Sequence, residues 1–129
     1  MIVEVNKLIK NQVSKNFIIS VIKQAGKKLK CDFILSVALV DNKTIKKLNH
    51  QYLKINQTTD VLSFSEPAEI IISWPMVITQ AKKQKHSQKK ELTFLLIHGL
   101  LHILGYDHKT KRQQDIMEKK FKQVISFLK

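Results

Sequence analysis

The block His98-Gly99-Leu100-Leu101-His102-Ile103-Leu104-Gly105-Tyr106-Asp107-His108 holds three of the five histidines in this chain. His98 and His102 stand four residues apart in an apolar run from Leu92 to Leu104 that reads as a helix. Four residues at ~100° each bring the second imidazole almost directly above the first on one face. Gly105 then supplies a residue free to take positive φ, the usual way a helix stops. The chain turns there, and His108 can come back to face the other two. Three nitrogen donors converging on one point form the arrangement of a catalytic zinc site, with the fourth position open to water. A lone histidine in an apolar helix is ordinarily a core residue with a satisfied hydrogen bond. Three at this spacing, with glycine at the turn, call for a metal: one zinc per chain on His98, His102 and His108. His50 and His86 lie in other segments.

The same spacing matches the end of the zinc-protease pattern H-E-x-x-H-x-x-G-x-x-H. One letter differs. The glutamate that serves those proteases as general base is here Gly99. The ligand geometry of such a site survives while its base is gone. Asp107, beside His108, is the acid nearest the site in sequence. It either orients a histidine ligand, as zinc-bound imidazoles usually require, activates the water, or bonds its own backbone as a turn aspartate. A residue next to a ligand tends to project away from the metal, which favours the orienting or turn role.

The histidine block resembles the signature of the YbeY-type rRNA maturation factors. The resemblance extends upstream through Leu48-Asn49-His50-Gln51-Tyr52, Thr59-Asp60-Val61-Leu62-Ser63-Phe64, and His86-Ser87 followed by Glu91-Leu92. It covers about half of the chain, residues 48 to 108. It implies a small mixed sheet surrounded by helices, and a zinc-dependent endoribonuclease acting in small-subunit rRNA 3′-end maturation. RNA and the small ribosomal subunit would be the partners. It also places the segment around Asp60 near the metal, so that Asp60, which turn capping would otherwise explain, becomes a substrate-facing candidate. The sequence departs from the family at Leu53 and Lys90, where the family carries arginines, and at Ala68-Glu69, where it has Gly-Asp. Loss of the arginine at Leu53 puts its charge-stabilising role on Lys54 or another lysine, so Lys54 and Lys90 join the substrate-facing candidates.

The formal charge of +13, with 23 basic residues against 10 acids, suits a polyanionic partner. A lysine-rich composition without binding consequence is the alternative. Arg112 is the only arginine, and lysine lacks the guanidinium fork that reads bases and phosphates bidentately, so no DNA specificity is expected. Lys82, Lys83, Lys85, Lys89 and Lys90 form the densest basic stretch, just ahead of the histidine helix. Such a run is ordinarily a solvated face, and its place in the chain makes phosphate contact the competing role. No apolar run approaches the ~20 residues of a membrane span, Met1 to Val5 lacks the basic region and apolar stretch expected of a signal peptide, and Cys31 is alone. The cytoplasm is the expected compartment.

The elements that must hold the histidines follow from local patterns. Strands are expected at Ile2 to Val5, Phe33 to Val40, Val61 to Phe64 and Glu69 to Ser73. Helices are expected from Lys15 to Leu29 behind Ser14, from Lys43 to Tyr52 behind Asp41 or Asn42, and from Pro75 to Lys85. The histidine helix should start near Gln88, and a last one should run from Thr110 to Leu128. Strands early and helices late predict an α+β fold, about four strands and about five helices, in one domain over residues 1–129. Three functions remain open: the endoribonuclease, a metalloprotease disfavoured by Gly99, and a non-catalytic RNA-binding assembly factor with a structural metal.

Overall fold

Every helix of the protein starts on a side chain suited to capping it. In the computed structural model, which describes residues 1–129, the side chains of Ser14, Asp41, Ser73, Ser87 and Thr110 each accept a hydrogen bond from the backbone N–H three residues on. Each cap satisfies a donor that the first turn would otherwise leave orphaned. Thr110 adds a full capping box, Gln113 reaching back to its backbone. The helices so fixed are α1 (Lys15–Leu29), α2 (Asn42–Leu53), α3 (Trp74–Gln84), α4 (Gln88–Ile103) and α5 (Lys111–Phe127).

Four strands, β1 (Ile2–Lys7), β2 (Ile34–Val40), β3 (Val61–Ser65) and β4 (Ala68–Ser73), form one sheet in the order β1-β2-β4-β3. β1, β2 and β4 run parallel, and β3 is antiparallel to β4 at the edge. The sheet is therefore mixed, as expected of an α+β fold. The first strand runs two residues longer than its pattern predicts, because its pairing with β2 continues to Lys7↔Leu39.

Alternation assigns the two faces. Leu35, Val37 and Leu39 of β2, with Ile70 and Ile72 of β4, enter a core of 21 buried residues shared with α1, α3, α4 and α5. The opposite face carries a small cluster, Val40, Leu62 and Ile71, under Ile45 of α2.

α4 lies at the centre of the larger layer. Leu92, Leu96, Ile97, Leu100 and Leu101 are all fully enclosed. A helix buried on nearly every side reads as uniformly apolar, which is why its sequence shows little polarity between faces. Its backbone approaches β4 closely at Gly99, where a β-carbon would lie 3.0 Å from Cγ2 of Ile70.

Candidate metal centre

α4 ends at Ile103, and Gly105 takes φ of +99°. The Tyr106 N–H then reaches back to the Leu101 carbonyl at 3.0 Å and the Gly105 N–H to that of His102 at 3.0 Å. This is the left-handed stop that the glycine predicts, and it folds residues 106–108 back over the end of the helix. The ring of His108 comes to rest 5.1 Å from that of His102, centroid to centroid.

His98, His102 and His108 line one cavity of about 680 Å³ together with Asp60, Glu118 and Phe121. The closest-set donor atoms belong to His102, Asp107 and His108, all within 4.8 Å of one another. Two imidazoles and a carboxylate suit a divalent metal of the zinc type, whose bonds to nitrogen and oxygen run ~2.0–2.2 Å, so a modest inward movement would complete the contact. His98 stands one helical turn earlier and belongs to the same cavity but not to that tight group. Its ring is stacked on Phe121 of α5, 4.3 Å between centroids and 16° from parallel.

Asp107 takes the turn position expected for it, but instead of projecting away from the site its carboxylate lies within the donor group of His102 and His108. Its Oδ1 accepts the backbone N–H of His108 at 2.7 Å, the turn role, and the same oxygen lies 3.7 Å from Nδ1 of His108. The first of these contacts holds the Asp107 carboxyl below the usual carboxylate range, Lys109 and the two histidines adding to it. Burial pushes the His98 imidazole below the ordinary histidine value, and His102 beside it acts in the same sense. Asp60 and Glu91 oppose that shift. The result favours the neutral ring, which is the form able to bind a metal.

Asp60 stands in the cavity wall, Oδ2 accepting from Nε2 of Gln80 at 3.3 Å. Leu53 lines the cavity at the end of α2, and neither lysine nor arginine is among the lining residues. Lys54, the left-handed cap of α2 at φ 60°, and Lys90, whose Nζ sits 5.7 Å over the ring of Phe94, are both exposed and outside the lining. The far wall is built from α5. Gln114 donates to the His108 carbonyl at 3.0 Å, and Glu118 faces the cavity while paired with Lys122 at 3.2 Å. Sequence reasoning missed these residues. Phe121 was legible only as part of a packing stripe, and nothing local in the sequence tells which helix closes the cavity.

A four-stranded mixed sheet, a buried helix carrying two histidines, and a glycine turn returning an Asp-His pair define an α+β protein with a candidate metal centre. The chain belongs to the YbeY family: the family described as Endoribonuclease YbeY matches residues 3–129. The protein named Endoribonuclease YbeY from Malacoplasma penetrans (strain HF-2) is 38% identical over 123 residues, covering 83% of this chain and 82% of that one. Its namesake from Carboxydothermus hydrogenoformans is 38% identical over 103 residues, covering 74% of this chain and 72% of its own. The solution structure of a target protein from Thermotoga maritima shares the fold, with a TM-score of 0.65 at 25% identity, covering 97% of this chain and 90% of that one.

Proposed function

We propose that this protein is a zinc-dependent endoribonuclease acting on single-stranded RNA, with small-subunit rRNA 3′-end processing in the cytoplasm as its setting. The observation that carries the reading is the convergence of His98, His102 and His108 on one cavity that also holds Asp60. Membership of a family described as endoribonuclease supports RNA as the substrate. The excess of basic residues supports attraction of a polyanion. No helix is long and apolar enough to cross a membrane.

One zinc held by His98, His102 and His108 would supply a Lewis acid for a phosphoryl oxygen and a bound water of lowered pKa. Around it, each group of the chain has a task. Asp107 fixes the turn that presents His108, and its carboxylate steadies that imidazole. Phe121 holds the His98 ring flat against α5. Asp60, anchored by Gln80 on one oxygen, is one of two carboxylates lining the cavity, with Glu118, and takes the proton-accepting role in this reading. Leu95, Met117 and Phe121 give the cavity an apolar patch beside the polar Thr59, Ser63, Gln114 and Glu118.

Leu53 in that wall, with no lysine or arginine among the residues lining the cavity, favours one alternative: an RNA-binding assembly factor whose metal is structural. The test is incubation of purified protein with single-stranded RNA and with casein, with and without chelator. The endoribonuclease reading expects chelator-sensitive cleavage of RNA alone. RNA bound but uncut would support the assembly-factor reading, and casein digestion would overturn both.

A further inference from the structure

A second cavity, of about 370 Å³, lies between α3 and α4 and shares Asp60 and His98 with the metal cavity. Its volume falls within the range of small-ligand sites. Its walls carry Gln80, Lys83, His86, Glu91 and Phe94. Glu91 is the unusual member. An acid in the first turn of a helix ordinarily points to water, yet this one is 7% exposed and is the only charged residue among those buried.

One Glu91 oxygen is accounted for. Oε1 lies 2.7 Å from Nε2 of His86. His86 is itself held where its backbone N–H caps α3 at the Ala81 carbonyl, 3.1 Å away, and its ring meets the edge of Phe94 at 5.5 Å. The other oxygen, Oε2, has neither a hydrogen-bond donor nor a cation in reach, and no enclosed side-chain nitrogen or oxygen in the protein lacks a partner. Oε2 therefore remains in contact with solvent, and the cavity is the space Glu91 lines. A role in pinning the α3–α4 turn explains Oε1. It leaves unexplained a free acceptor on a nearly buried side chain that lines a cavity adjoining the candidate metal centre.

We propose that this cavity is a nucleobase subsite, in which the free oxygen of Glu91 selects a base bearing an exocyclic amino group. The inference rests on the reading of RNA as substrate. A carboxylate only accepts hydrogen bonds, so it takes the N4 amino group of cytosine and repels the O4 carbonyl that uracil presents in the same place. Phe94 gives the base an apolar wall, and Lys83 at the rim can meet a phosphate as a point charge. Gln80, bonded to Asp60, ties the subsite to the cavity where a neighbouring phosphate would lie.

The test compares binding of short single-stranded 2′-O-methyl oligomers of cytidine and of uridine, at one salt concentration, by fluorescence anisotropy. Cleavage is not required for the readout. The wild-type protein should bind the cytidine oligomer about tenfold more tightly, the size expected of one hydrogen bond to a charged group. In Glu91→Gln the amide can turn a donor toward uracil, and the preference should vanish or reverse while the melting temperature shows a folded protein. If that variant fails to fold, cytidine-specific shifts of the His86 ring resonances in wild-type protein serve instead. Equal affinity for both oligomers in the wild type, an unchanged preference in folded Glu91→Gln, or absent His86 shifts would overturn the subsite. Binding of neither oligomer would defeat the RNA reading itself, and the subsite with it.

Discussion

Gly99 and Ile70 meet backbone to side chain: a β-carbon on Gly99 would lie 3.0 Å from Cγ2 of Ile70 and 3.1 Å from both Cγ1 and Cδ1. Ile70 is fully buried on β4, so any shift that relieves this contact has to be made within the core. The place where zinc proteases keep a glutamate is here the contact between the central helix and the sheet. Gly99→Ala gains ~1 kcal/mol of helix propensity and loses ~1–3 kcal/mol to overpacking, so we predict a net destabilisation of about 1 kcal/mol. Ile70→Val combined with it should recover part of the loss, measured by denaturant unfolding as a double-mutant cycle. Additive effects of the two changes would show that the contact is not the cause. Gly99→Glu should unfold the protein and yield no peptidase activity; a folded variant that digests casein would sink the argument.

Metal content separates the histidines from Asp107. We predict about one zinc per chain in the wild type, with loss of it in His98→Ala, His102→Ala and His108→Ala. Asp107→Asn should keep the stoichiometry and weaken affinity about tenfold, the usual effect of removing a group that orients a ligand. Full zinc in folded His98→Ala would leave His102, Asp107 and His108, the tightest donor group, as the ligand set.

The turn at Gly105 is a matter of backbone conformation, not of room. Nothing lies within 4 Å of a β-carbon there, but φ is +99°. Gly105→Ala should cost about 1–3 kcal/mol of strain and lower zinc affinity, because relief of the strain swings His108 outward. Unchanged affinity, followed by competition with a chromogenic chelator, would mean that the turn does not position the ligand.

His98 sets a pH dependence in the metal-free protein. Its folded pKa is depressed below the ordinary value of 6.5, chiefly by burial, so the unfolded chain binds the proton more tightly. Stability is then complete above the unfolded value and is lost as pH falls from there through the depressed folded value. His98→Gln should flatten the fall in denaturation midpoint over that window. An equal slope in both proteins would remove His98 as its source.

RNA affinity should fall steeply with salt, because 22 of the 23 basic residues are lysines and make point-charge contacts with phosphate. On single strands log K is expected to fall with log salt at about −0.7 per neutralised phosphate. A flat titration would make the charge excess irrelevant to binding.

What the sequence reveals of this protein is what is encoded locally. Ser14 and Asp41 announce helices because a cap acts over three residues. His98 and His102 share a face because the helical period puts them there, and Gly105 marks the stop by its freedom at positive φ. Phe121, Gln114 and Glu118 enter the cavity from α5, and no local rule says how that helix lies across α4. The pairing of His86 with Glu91 was hidden for another reason. Both residues sit in a lysine-rich stretch that reads as a solvated surface, yet Glu91 is turned inward. Asp107 was legible as a turn residue, but its nearness to both imidazoles depends on the path of the chain after Gly105.

The burial of α4 has a consequence for how a metal would come and go. Amides along Leu92 to Leu101 lie in the part of the protein expected to exchange with deuterium last, since they open only with the core. His98 and His102 thus ride on a mount set before any ion arrives, whereas the side chain of His108 is 65% exposed on a turn. Loading would then cost only the settling of that turn rather than the folding of a domain, unlike small zinc modules that are unstructured without their ion. Exchange of one divalent ion for another would go by way of His108, with the rest of the scaffold standing still.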